Sequence, residues 1–280
     1  MMKTPFRAGS FLCAAVLLVF NPLLAAEEAV PSNASPCSGE FVSVPSRPTV
    51  SNGTDTTQCG VLELEYGVER QWLGGGERHD DLSGGLRLGL TPKLDFHWAS
   101  GDLLNNVVAA GSQLGFGDTW LGLKYRFAEQ TKLRPSLGVF YQAKIPSASH
   151  GMGSGEVDHS PSLLISKDIH PLHFDFNVIP LLAGRPGRGW DRNMGFALSA
   201  SVPLTRRLGF VGEGYGYTRL NRANPAFAST MVGVTYQANP RLVLDGGVDM
   251  GVTSGAPQGR IFLGITYAVS NLYSMIRPSR

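Results

Sequence analysis

The sequence predicts an all-β chain: a transmembrane, antiparallel up-and-down β-barrel of about 12 strands, with short periplasmic turns and longer extracellular loops. Three observations predict it. Apolar and polar residues alternate with a period of two over most of the chain. The connections between the alternating stretches are short and long by turns. Aromatic residues on the apolar parity gather toward the stretch ends.

Composition excludes the main rivals. The 280 residues include 35 glycines, well above the usual share, and only 16% are charged. At 42% hydrophobic the chain is not a disordered one. A formal charge of +2 gives no basic balance for nucleic acid. No stretch reaches the ~18 apolar residues of a membrane-spanning helix, which excludes a helical transporter. Long amphipathic helices are hard to find, which argues against a doubly wound nucleotide enzyme.

Residues 1–26 read as a secretory signal peptide, with an N-terminal anchor as the alternative. Lys3 and Arg7 are its basic start, Phe11 to Phe20 its apolar run, and Leu24-Ala25-Ala26 an imperfect cleavage site. Residues 27–60 read as an irregular N-terminal periplasmic segment, rich in Ser, Thr, Pro and Asn. Cys13 leaves with the signal, so Cys37 and Cys59 remain as an even pair in an exported chain, and a disulfide between them is expected.

From residue 61 the alternation begins. In 119–127, Leu121, Leu123, Tyr125 and Phe127 share one parity, and Trp120, Gly122, Lys124 and Arg126 the other. In 193–202, Met194, Phe196, Leu198, Ala200 and Val202 alternate with small or polar residues. A strand separates such sets; a helix does not. Twelve strands are expected at about 61–72, 80–91, 93–100, 117–128, 132–145, 157–169, 172–182, 192–204, 207–219, 227–238, 241–253 and 258–267. Thr91-Pro92, 129–131, His170-Pro171, Thr205-Arg206 and Asn239-Pro240 mark the tight turns. Pro135 and Pro161 each delete a ladder donor, so bulges or shifted strand ends are expected there.

The apolar parity is expected to face lipid. A bore of about twelve strands is wider than side chains of one wall fill. Trp72 and Trp98 sit toward the long-loop ends; Tyr125, Phe127, Tyr236 and Tyr267 sit toward the short-turn ends. Two such girdles suit the two lipid–water interfaces. The opposite parity then faces a lumen. It carries the acids Glu63, Glu65, Glu69, Asp95, Asp175, Glu213, Asp245 and Asp249. It carries the bases Arg87, Lys93, Lys124, Arg126, Lys132, Arg134, Lys144, Arg241 and Arg260, and also His97. These charges either pair across strands and stiffen the wall, or steer a solute. The bases cluster on the fourth and fifth expected strands, which predicts a positive wall there. The apolar stretch 101–116 folds into the mouth, or forms a short helix or extra hairpin on the rim.

Catalytic and metal signals are weak. His170 and His173 flank a tight turn; His150 and His159, with Asp158, lack a third ligand. The run 151–155 is glycine-rich without the Lys-Ser/Thr of a phosphate loop. His159 and Ser160 are adjacent and so point to opposite faces of a strand. No enzyme, metal or cofactor is expected.

Gly115-Phe116-Gly117-Asp118, leading into Thr119-Trp120-Leu121-Gly122-Leu123-Lys124-Tyr125-Arg126-Phe127, resembles a segment of the outer-membrane group called the putative MetA-pathway of phenol degradation family. Leu86 to Asp95 is similar to its preceding hairpin, and Phe210-Val211-Gly212-Glu213 to a later strand. The resemblance covers roughly 61–267. It implies an outer-membrane barrel with a part in uptake of aromatic or other hydrophobic compounds, and it implies no catalytic residues. The barrel is expected over 61–267, followed by a tail, 268–280, beyond the terminal aromatic Tyr267. The expected partners are outer-membrane lipid and a small-molecule solute, with no nucleic acid. The expected function is a passive channel, against a closed structural or surface-interaction barrel, an outer-membrane hydrolase, or a soluble barrel.

Overall fold

The computed structural model describes residues 37, 41–187, 189–220 and 224–276. The expected signal peptide, residues 1–26, lies outside the described residues. Thirteen strands follow in order: β1 (Val61–Gly74), β2 (Glu77–Thr91), β3 (Leu94–Val108), β4 (Gly111–Gly115), β5 (Thr119–Ala128), β6 (Ser136–Ile145), β7 (Asp158–Ile169), β8 (Leu172–Gly184), β9 (Trp190–Pro203), β10 (Leu208–Tyr217), β11 (Phe227–Asn239), β12 (Leu242–Gly251) and β13 (Gly259–Asn271). A short helix, α1 (Leu272–Ile276), ends the described chain.

Each strand pairs antiparallel with its neighbours, and β1 pairs with both β2 and β13. The β2–β3 ladder completes the ring. The result is a closed twelve-stranded barrel, with β4 as one extra strand hydrogen-bonded to the upper part of β3. Closure leaves the ring no unpaired edge, the condition for lying in hydrocarbon.

Burial follows the parity. On β5, Leu121, Leu123, Tyr125 and Phe127 are exposed, at 38–46%, while Lys124 between them is 2% exposed. On β9, Phe196 and Leu198 are exposed, and Asn193, Ala197 and Ser199 are buried. Trp72 and Tyr236 lie on the same outer surface.

The stretch 101–116 is the extra hairpin of the two alternatives. β3 runs on to Val108 and returns as β4, and residues 116–118 interrupt the descending strand before β5. The ladder shifts register between Leu82 and Ser83, which pair with Leu103 and Gly101 and leave Asp102 over. One extra residue flips the parity. Leu103 thereby points outward, and the apolar character of the stretch belongs to the outer surface.

The strand expected from 132 starts instead at Ser136. Thr131 N–H donates to Arg134 O (2.9 Å), and Arg134 N–H donates to Thr131 Oγ1 (3.1 Å). This local turn, followed by a proline with no donor, replaces the ladder. At Pro161 the β7–β8 register passes from His159–Leu182 to Leu163–Val178, so the β8 side is unpaired around the missing N–H. β13 extends past Tyr267 to Asn271, which pairs with Val61. Asn271 Oδ1 then caps α1 by accepting from Tyr273 N (3.0 Å) and Ser274 N (3.2 Å).

Glycine permits one close approach that fixes the chain before β1. A Cβ on Gly89 would lie 2.0 Å from Gln58 O and 2.5 Å from Thr57 O. Gly89→Val should therefore cost about 1–3 kcal/mol through forced backbone movement. Its gel-shift unfolding midpoint should fall, while Gly214→Ala, with nothing within 4 Å of the added Cβ, should leave the midpoint unchanged.

Candidate functional site

An irregular segment inside a barrel has no ladder of its own, so each buried N–H needs an acceptor from the wall. Residues 42–58 meet this need in strand order. Val44 N–H donates to Glu63 Oε1 (2.8 Å), and Ser46 N–H to Glu65 Oε1 (2.9 Å), both on β1. Arg47 reaches Asp245 on β12 (3.3 Å). Val50 and Ser51 N–H both donate to the Glu213 carboxylate on β10 (2.8 and 2.6 Å). Asn52 exchanges two bonds with the Asn177 amide on β8 (2.7 and 2.9 Å). Thr54 bonds Ser166 on β7 and Ser136 on β6. Asp55 pairs with Arg126 on β5 (2.7 Å), and Thr57 N–H donates to Asp95 on β3 (2.8 Å). The segment returns to β2 where Gly60 N–H donates to Gly89 O (2.7 Å).

The segment thus makes a circuit of the inner wall as a belt. Its fifteen residues from 43 to 57 reach at most about 50 Å, and the ten strand spacings from β1 round to β3 amount to about 48 Å. Reach and perimeter match, so the belt runs extended along the wall. Pro45 and Pro48 have no N–H to satisfy. A disulfide joins Cys37 to Cys59, closing the belt on itself. Arg47 lies over Gly67 and Gly264, which pair across the β1–β13 ladder; a Cβ on either would lie within 2.4 Å of its guanidinium.

Eight of the eighteen expected lumen residues bind this belt: Glu63, Glu65, Arg87, Asp95, Lys124, Arg126, Glu213 and Asp245. Glu63 is fully buried and also binds Arg87 across the β1–β2 ladder (3.0 Å). Glu65 lies 3.5 Å from the same guanidinium. The Lys124 ammonium is buried, donates to Asp55 O (2.5 Å), and lies 3.9 Å from Asp95. Others lie nearer the long-loop end. Arg260 joins Glu69 (2.9 Å) and Asp249 (3.4 Å), and Tyr215 donates to Asp249 (2.6 Å). Lys144 bridges Asp158 (2.6 Å) and Asp118 (3.5 Å).

Lys132, Arg134 and Lys93 lie in turns rather than on the inner wall, and Arg241 lies in the turn between β11 and β12, donating to Tyr267 OH (3.0 Å). Lys132 and Arg134 are exposed in the turn before β6, because the strand that would have aimed them inward starts later. Lys93 is exposed in the turn between β2 and β3, 3.8 Å from Glu129. The positive wall expected on β5 and β6 is absent: Lys132 and Arg134 lie in the turn, Lys124 and Arg126 bind the belt at Asp55, and Lys144 is paired with Asp118 and Asp158.

An apolar set lies on the inner parity at the height of the belt, with Met231 opposite Glu213 and Leu164 opposite Asn177 in their ladders. Val211, Met231 and Phe262 form a buried cluster from β10, β11 and β13. Phe140 is buried on β6, 4.7 Å from the His97 ring, and Leu164 is buried on β7. Parity alone would have found these residues; attention to charge passed over them. On the short-turn side, a cavity of about 330 Å³ lies between the belt and the ends of β8–β11. Arg47, Arg87, Lys124, Ser199, Ser201 and Thr235 are among its lining residues.

The candidate hydrolytic pair is not assembled. His159 Nδ1 lies against Tyr141 OH (2.7 Å) on the outer parity, while Ser160 is buried inward beside Ser162. His173 pairs with Asp168 (2.6 Å) and Asp175 (3.2 Å) at the short-turn end. Among the described residues, no group of three or more His, Cys, Asp or Glu is placed to hold a metal ion.

A family model described as putative MetA-pathway of phenol degradation matches residues 46–269. The COG4313 outer membrane channel from Pseudomonas putida F1 has a similar fold, with a TM-score of 0.60 at 12% identity over 76% of this chain and 97% of that one. The KdgM porin in complex with disordered oligogalacturonate is also similar, with a TM-score of 0.53 at 10% identity over 74% of this chain and 99% of that one. Among proteins of curated function, none matches in sequence.

Glu213→Leu should leave the Val50 and Ser51 N–H groups without acceptors, at about 1–3 kcal/mol for each orphaned group. The expected readout is faster proteolysis of the belt, detected by mass spectrometry of fragments. Lys132→Ala, on its exposed turn, should leave the cleavage rate unchanged.

Proposed function

The chain belongs to the putative MetA-pathway of phenol degradation family, and from that premise we propose that it is an outer-membrane channel for passive uptake of small solutes, aromatic or hydrophobic compounds in particular. The observation that carries the reading is the apolar tier within an otherwise polar bore. Val211, Met231 and Phe262 form one buried apolar cluster on the inner wall, and Phe140 and Leu164 are buried on β6 and β7; uncovered to a solute, they present it an apolar step beside the charged belt contacts. A hydrophobic constriction resists ions by dewetting, yet favours an apolar solute that sheds water to enter it. The neighbouring cavity, beside the belt, provides a polar exit for a hydroxyl group.

The belt favours a second reading, a closed structural barrel. Its bonds to the wall occupy many of the inward charges, and such a barrel would pass neither ions nor phenols. The two readings divide cleanly in proteoliposomes. The channel reading expects entry of phenol-class solutes that the protein accelerates above empty vesicles, with small ion conductance in planar bilayers. No acceleration for any solute, in a heat-modifiable inserted barrel, would sink it. Met231→Ser with Phe262→Ser should raise ion conductance several-fold, roughly 3–10-fold, by wetting the tier, and should reduce the advantage of aromatic solutes over ions.

A further inference from the structure

The outer surface over β13, β1, β2, β3 and β4 carries a feature that solute passage does not use. A groove of about 620 Å³ lies there, with Val68, Leu82, Leu103, Leu114, Ile261 and Leu263 as its apolar floor. Arg70 and Arg78 stand at its long-loop edge, and both guanidiniums bind one carboxylate, Asp80 (2.5 and 3.1 Å). On the outer parity two cations share one anion, which leaves one positive charge on that face; Glu69 and Asp81, which also line the groove, belong to the inward parity, and Glu69 is paired with Arg260 (2.9 Å). Both arginine side chains are 40% or more exposed.

Height and width identify the occupant. Arg78 pairs in the ladder with Trp72, a girdle residue, and Arg70 with Asp80 and Ile261, so the charges lie at the outer lipid–water boundary. Val68 pairs with both Leu82 and Leu263 one step deeper, in the hydrocarbon. Four strand spacings make the surface about 19 Å wide. That width suits several acyl chains side by side rather than the two of a glycerophospholipid. A guanidinium fork matches a phosphate better than any other lipid headgroup.

We propose that this groove binds one molecule of lipid A, the phosphorylated and multiply acylated glucosamine lipid of lipopolysaccharide, with a phosphate between Arg70 and Arg78 and acyl chains on the apolar floor. Asp80 occupies both forks in the lipid-free protein and competes with the phosphate for them.

The test is native mass spectrometry of the mature protein in mild detergent, titrated with purified lipid A, dephosphorylated lipid A and phosphatidylglycerol. One equivalent of lipid A should bind, and dephosphorylated lipid A about tenfold more weakly or worse. Arg70→Ala with Arg78→Ala should lose a similar factor while channel behaviour stays unchanged. Asp80→Asn should bind as tightly as wild type or more tightly, because a competing anion is gone. Equal binding of the dephosphorylated form, equal binding of phosphatidylglycerol, or an unchanged double variant would each overturn the assignment. If the double variant fails to insert, Asp80→Asn decides alone, and weaker binding by that variant overturns the proposal.

Discussion

In hydrocarbon the backbone of a strand has nothing but another strand to bond, and the β1–β13 ladder is where this chain meets that demand last in sequence. The seam is built with more than its own hydrogen bonds. Gly67 faces Gly264 across it, and their missing side chains leave the place where Arg47 lies. The belt enters β1 at the seam, and α1 leaves β13 there. Leu272 N–H donates to Gly60 O, Asn271 Nδ2 to Cys37 O, and Tyr273 OH to Leu90 O. Both ends of the barrel chain, the disulfide and the closing ladder are therefore one joined region.

The interior follows from a second demand, that polar backbone away from water must be paired. The wall answers with carboxylates, amides and hydroxyls on the inward parity, and the belt answers the wall's cations with carbonyls. Glu213 and Lys124 show the two halves of this exchange: one accepts from belt amides, the other donates to a belt carbonyl. Charges that on sequence grounds could steer a solute are in large part spent on holding a strand-like visitor that cannot pair in the ladder. Beside these contacts the wall packs apolar side chains, with Met231 opposite Glu213 in the β10–β11 ladder and Phe262 in the same cluster.

Much of this was legible beforehand because a strand converts parity directly into facing. The alternation through Leu121, Lys124 and Phe127, or through Phe196 and Ser199, needs no tertiary information to be read. The same rule misled where a local event resets the count. A leftover Asp102 turned Leu103 outward, and the Thr131–Arg134 turn took Lys132 and Arg134 out of the sheet. The belt was legible only as an irregular, cysteine-bounded stretch. Its path depends on contacts up to 198 residues apart, such as Asn52 with Asn177 and Arg47 with Asp245, and no periodicity records such a pairing. Facing is a local property; the identity of the partner across a bore is not.

The belt also has a mechanical meaning. A cask is kept round by hoops on its outside, which resist the staves' outward push. Here the hoop is inside, tied to β1, β12, β10, β8, β7, β6, β5 and β3 in turn and closed by Cys37 and Cys59. Flattening the ring in any direction must draw some staves away from the hoop and push others onto it. The cross-section at that height is therefore held by attachments distributed around the circumference, and the bore there has a set diameter even where the strands above it bend.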